Sequence, residues 1–275
     1  MRGVWVERER QREARIISVC FNQNVRNGAG DARIKQKVNM IKDPATLAAD
    51  LDSLEQIERA SLRFVVQALY DFRHDAREIF LAESDLQGDI GEDITREALD
   101  ALGVSKIPVR LFGKVDYKRA CYQFHPAFAV KQALFVDSKA EKSASVARIQ
   151  TSQTSMRIRQ IRSGNPVDVA GGLPTVIHKG GDSYLTTTVF VKYFYEEGEA
   201  GNNLRIIRIA CLPNGMLQDR YNPNANDTIW VAGPNAPTLG EEFRTRLSFN
   251  RLQQKAAWRV QDLHIDPEEP FVWNE

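Results

Sequence analysis

AFAVKQALFVD, residues 127–137, followed directly by Ser138 and Lys139, is the stretch on which the fold turns. Val, Leu and Phe dominate it and turn-forming residues flank it, which is the composition of a strand. A second segment of the same kind, IPVRLFGKVD at residues 107–116, comes just before it. Two successive strands are therefore expected, each ending in an aspartate, Asp116 and Asp137. Side chains alternate along a strand, so Lys139 should point to the same side as Asp137.

Two antiparallel strand ends can bring the two carboxylates together. Closely placed carboxylates suit a divalent cation, and such a cation with a lysine beside it suits phosphodiester hydrolysis. Magnesium takes oxygen ligands and keeps some of its waters. In that arrangement Asp116 and Asp137 bind the metal and the carbonyl of Ser138 completes its shell. Lys139 orients the attacking water or offsets charge in the transition state. By spacing alone, two aspartates closing two strands at a solvated edge account for the pattern better.

Upstream, apolar residues at Leu54, Ile57, Val65, Leu69, Phe72, Ala76 and Ile79, with Ser61 among them, recur every three or four positions. They predict one long helix, capped by Asp52 or Ser53. A second helix is expected over residues 92–102, where Ile94, Ala98 and Leu102 share a face and Gly103 follows as a stop. Downstream, a helix is expected over residues 142–153, then strands over 185–195, 204–212 and 243–249. The first 48 residues are irregular in pattern and read as an N-terminal extension, leaving residues 49–275 as one domain.

The bulk numbers narrow the class. In 275 residues, 43% hydrophobic and 27% charged is the make-up of an ordinary globular protein. A net charge of +1 excludes binding by bulk positive charge, so any nucleic-acid contact has to be local. Arg244 and Arg246 are two apart on an expected strand and would present two guanidinium forks on one face, the geometry that reads guanine, with a solvated strand edge as the equal alternative. Lys142 and Arg148 belong to a locally basic stretch, with phosphate contact or plain solvation as the two readings. Three cysteines without a CxxC pair suggest neither a disulfide framework nor a zinc site, and the four histidines show no ligand spacing. No GxGxxG or GxxxxGK[ST] is present. No apolar run reaches membrane-spanning length, so a cytoplasmic location is expected.

The segments LFGKVDYKR (residues 111–119) and ALFVDSKAEK (residues 133–142) resemble the active-site strands of type II restriction endonucleases of the SfiI/BglI group, in the PD-(D/E)xK nuclease superfamily. The likeness continues, in the same chain order, through LEQIERASLRFVVQAL (residues 54–69), EDITREAL (residues 92–99), RIIRIACLPNGML (residues 205–217), RYNPNAND (residues 220–227) and FNRLQQKAAWRVQDLH (residues 249–264). The resemblance implies an α/β fold with a mixed central sheet flanked by helices and an added β-rich part that reads DNA. It implies magnesium-dependent cutting of both strands of duplex DNA at a G·C-rich, interrupted palindrome. The site then maps onto Asp116, Asp137 and Lys139, with Val115 where the group's motif has proline. Glu92 is the nearest candidate for a supporting acid, or a carboxylate that merely steadies a helix start. A palindrome requires matching two-fold symmetry, and the resemblance to the group implies a homotetramer, or else a dimer. The rival readings are a repair or structure-selective nuclease of the same fold and a non-catalytic DNA-binding protein.

Overall fold

The chain divides into two units, residues 1–40 and 41–275. The computed structural model describes residues 41–83, 90–103, 121–125, 128–142, 145–198, 201–232 and 244–275, all in the second unit. The strand expected over residues 107–116, and Asp116 with it, lies outside the described residues.

A mixed sheet forms the centre. Strands β1 (Cys121–His125), β2 (Val130–Glu141), β7 (Asp182–Gly198), β8 (Gly201–Leu212) and β11 (Val260–His264) lie side by side in that order, and β6 (Val176–Lys179) also pairs with β7. The β2–β7 pair is parallel and every other pair is antiparallel. A parallel pair needs a long connection. Here that connection carries the hairpin β4–β5 (Ile158–Arg162 and Asn165–Val169) and β3 (Val146–Gln150). β3 joins β10 (Arg244–Ser248) and β9 (Trp230–Val231) in a second sheet of order β3-β10-β9.

Helices cover one face of the central sheet. Helix α1 (Leu51–Asp71) starts at Asp50, whose carboxylate accepts from the Ser53 N–H at 3.1 Å. The long helix expected from the periodicity ends at Phe72, and α2 (Arg73–Ala82) follows. At the break, Arg73 donates to the Tyr70 carbonyl at 2.7 Å and lies over the Tyr70 ring, satisfying a carbonyl that a continuous helix would have used. Helix α3 (Ile90–Ala101) forms where one was expected, with Gly103 beyond its end at φ 69°. Leu62, Val65 and Leu69 of α1, Phe80 of α2 and Ile94 and Ala98 of α3 bury against Leu134, Val189, Val191 and Ile207 of the sheet.

The other face is covered by the second sheet and by α4 (Phe249–Lys255). Ala147, Ile149, Leu247, Trp230, Phe249 and Leu252 pack there against Phe190, Ala210 and Val260. The helix expected over residues 142–153 is therefore absent: it is β3 plus a 3-10 turn at Thr151–Gln153. Val146-Ala-Arg-Ile-Gln150 alternates buried and exposed, and β10 offers it a ladder. Pairing with a distant strand thus outweighs local helix propensity.

Beneath the sheet's lower end, Glu58 of α1 and Arg259 form an ion pair at 2.6 Å, with both side chains fully buried. Burial raises the Glu58 pKa, while Arg259 and the Asn214 N–H oppose the rise. The guanidinium also lies over the rings of Tyr221 and Trp258, 4.3 Å from each centroid.

Candidate active site and DNA-reading sheet

β2 sorts its side chains by parity. Leu134, Val136 and Ala140 enter the helix-side core, whereas Asp137, Lys139 and Glu141 stand on the opposite face. Asp137 and Lys139 are thus brought to one side, both half-buried. The Ser138 side chain turns the other way and is buried. Its hydroxyl bonds Thr95 of α3 at 2.7 Å, and Thr95 in turn bonds the Tyr193 hydroxyl at 2.8 Å. This chain of three hydroxyls ties β2 to α3 and β7. Burial pushes the Tyr193 phenol up, with the Thr95 bond opposing.

Gly91 explains why α3 starts so close to β2. A Cβ there would sit 3.1 Å from Tyr193 Cδ2 and 3.3 Å from the Ala140 nitrogen and the Lys139 carbonyl carbon. Any side chain would push the helix away. The first turn of α3, with the partly buried Glu92, therefore rests on β2 beside Lys139.

Hard oxygen donors suit magnesium, and Asp137 with the Ser138 carbonyl supplies two, with Glu92 in the neighbouring helix turn. Among the described residues no group of three or more His, Cys, Asp or Glu forms a metal site by itself. Cys211 is buried as a free thiol in the helix-side core, away from this face.

The register across the sheet reveals residues that sequence reading missed. Lys192 of β7 pairs with Lys139, and Arg208 of β8 pairs with Lys192. Lys192 is 1% exposed and donates to Glu141 at 2.7 Å and to the Val146 carbonyl. Burial lowers the Lys192 pKa, and Glu141 counters it. Arg208 pairs with Asp262 of β11 through two contacts, 2.7 and 2.6 Å. A lone lysine inside the apolar run VFVKYFY (residues 189–195) was the sequence signal for Lys192.

The second sheet gathers three of the four basic residues expected to touch DNA. Arg246 sits directly across from Arg148, and Arg244 across from Gln150. Ala147, Ile149 and Leu247 face the core, so Arg148 and Arg246 share the outer face. Like charges set opposite one another are destabilising unless an anion lies between them. Lys142 is elsewhere, at the end of β2, in an exposed ion pair with Glu197 at 2.5 Å. Arg157 and Arg159 are held by Asp168 of their own hairpin.

The crystal structure of tetrameric SfiI bound to cognate DNA matches this fold with a TM-score of 0.69 and 33% identity, over 78% of this chain and 85% of that one. The structure of BglI bound to its DNA recognition sequence matches with a TM-score of 0.65 and 17% identity, over 81% and 94%, a likeness of fold alone. The architecture is that of a restriction endonuclease. The family model for the type II restriction enzyme SfiI matches residues 54–263. SfiI of Streptomyces fimbriatus is 34% identical over 237 residues, 81% of this chain and 88% of that protein. The chain belongs to the SfiI family of type II restriction enzymes, which are site-specific deoxyribonucleases. Membership selects the restriction enzyme among the three readings of the sequence. No helix among the described residues is long and apolar enough to cross a membrane.

Proposed function

We propose that the enzyme cuts both strands of duplex DNA at a G·C-rich, interrupted palindrome in the presence of magnesium, using Asp116, Asp137 and Lys139. The observation that carries this reading is the pair Asp137 and Lys139 on one face of β2, backed by the helix that carries Glu92. Asp116, outside the described residues, joins them in the proposal through the resemblance of LFGKVDYKR (residues 111–119) to an active-site strand of the group.

Magnesium, held by Asp116, Asp137 and the Ser138 carbonyl, would supply charge neutralisation at the scissile phosphate. Lys139 holds the attacking water in line and offsets the charge that builds on the phosphate oxygens. Glu92 is the supporting acid at the same edge. The duplex lies against the second sheet, where Arg244 and Arg246 read guanine edges and Arg148 meets a phosphate or base beside Arg246. Lys142 would contact phosphate only by giving up Glu197. The active particle is a homotetramer, a reading supported by the tetrameric SfiI relative.

The test is cleavage of plasmid and phage DNA by the wild-type enzyme and by Asp137→Ala and Lys139→Ala. The wild type yields discrete fragments with magnesium. Both variants lose cleavage while still binding the fragment-end sequence. Normal cutting by either variant removes the site assignment, and a smear from the wild type removes sequence specificity.

A further inference from the structure

β3 is an edge of the second sheet, and two lysines of the central sheet reach its backbone. Lys139 donates to the Arg148 carbonyl at 3.4 Å, and Lys192 donates to the Val146 carbonyl two residues earlier. These are alternate carbonyls of one strand, on the edge away from β10. The side chain of Arg148, between the strand's two buried core residues, is the one that faces Arg246 on the outer surface. The lysine row is thus a hydrogen-bonded seam between the cutting strand and the sheet that carries the arginines.

The two lysines are not equivalent. Lys139 is half-buried and makes a long contact, so it can leave β3 for the reacting phosphate. Lys192 is 1% exposed, and it is gripped by Glu141 as well as by Val146. A fully buried lysine is costly, and a hydrophobic chain would fill the space more cheaply. Its ammonium has no route to a substrate. Its partners are the last residue of β2 and the first of β3, the two ends of the bend that joins the sheets.

We propose that Lys192 is a positioning residue for cleavage, its ammonium clamping Glu141 and the Val146 carbonyl so that the Arg148–Arg246 face keeps a fixed place relative to Lys139. The inference rests on the reading of Lys139 as catalytic and of Arg148 and Arg246 as DNA-facing. Without the clamp, β3 shifts against β2, and contacts made to the correct bases no longer align the phosphate with Lys139. Correct sequence then loses much of its advantage over a near match.

The experiment compares Lys192→Met and Glu141→Ala with the wild type, with Lys139→Ala alongside. Single-turnover cleavage is measured on the cognate duplex and on duplexes with one base pair changed. A merely structural loss lowers the folded fraction and slows all substrates by one factor, leaving their ratio untouched. The clamp predicts that both variants fall roughly tenfold or more on the cognate duplex, the size expected for a lost bond to a buried charge, and much less on changed duplexes. An unchanged ratio in a folded Lys192→Met protein overturns the proposal. If that variant does not fold, Glu141→Ala decides in the same way, because its side chain is partly exposed and its loss leaves the core filled. Active Lys139→Ala would instead refute the underlying site, whereas inactive Lys139→Ala with an unchanged Lys192→Met ratio refutes the clamp alone.

Discussion

Single side chains decide both the chemistry and its support. Asp137 and Lys139 were legible in the sequence because strand alternation fixes their shared side without any tertiary information. Ser138 entered the sequence reading only through its carbonyl. Its hydroxyl partner Thr95 is 43 positions away and belongs to a helix, so no local pattern joins them. Thr95→Val keeps the shape but leaves the buried Ser138 and Tyr193 hydroxyls without that bond, and it should cost about 1–3 kcal/mol in urea titration. A smaller loss than that would show that the three-hydroxyl chain adds little. On the DNA side, Arg246→Ala should weaken cognate binding by about 1–3 kcal/mol per lost bidentate contact, measured by duplex titration. An equal loss on random duplex would mean that Arg246 touches phosphate only. Lys192 escaped notice because its meaning lies in which strand it pairs with, and a parallel pairing across 53 positions is invisible to periodicity.

At the scale of elements, sequence reading succeeded where amphipathic periodicity was strong and failed where a distant partner chose the structure. α1 and α3 and strands β7, β8 and β10 form close to where the pattern put them. β3 does not, since VARIQ (residues 146–150) takes its conformation from β10, nearly a hundred residues on. The cap of α1, expected at Asp52 or Ser53, is Asp50, which lies outside the apolar pattern and holds the Ser53 N–H. That cap has a pH signature. The Ser53 hydroxyl and N–H hold the Asp50 carboxyl below its ordinary value of 3.8, with Lys42 also lowering it and slight burial opposing. A lowered folded-state pKa gives stability that is present above 3.8 and lost as pH falls through the folded value. Asp50→Ala should therefore lower the unfolding temperature at neutral pH. The difference from wild type should shrink toward zero in strong acid, and a constant difference would rule out the charged cap.

For the whole molecule, the expected particle is four chains. Light scattering on the DNA-free enzyme should give four times the chain mass, and a two-chain mass would favour the dimer. Family and fold were readable in the sequence because several segments kept their order over residues 54–263, where the family model also matches. The separation of Asp137 and Lys139 from Arg148 and Arg246 into two sheets was not readable, since it arises from the crossover between β2 and β7. That crossover has a consequence for a growing chain. β2 is held on one side by β7, some fifty residues later, and the sheet is completed only with β11 at Val260–His264, whose backbone is pinned by Asn274. Distant pairings form late and depend on one another. A chain folded only as far as β8 still lacks the β11 edge of the sheet, so the face that carries Asp137 and Lys139 is completed late in folding.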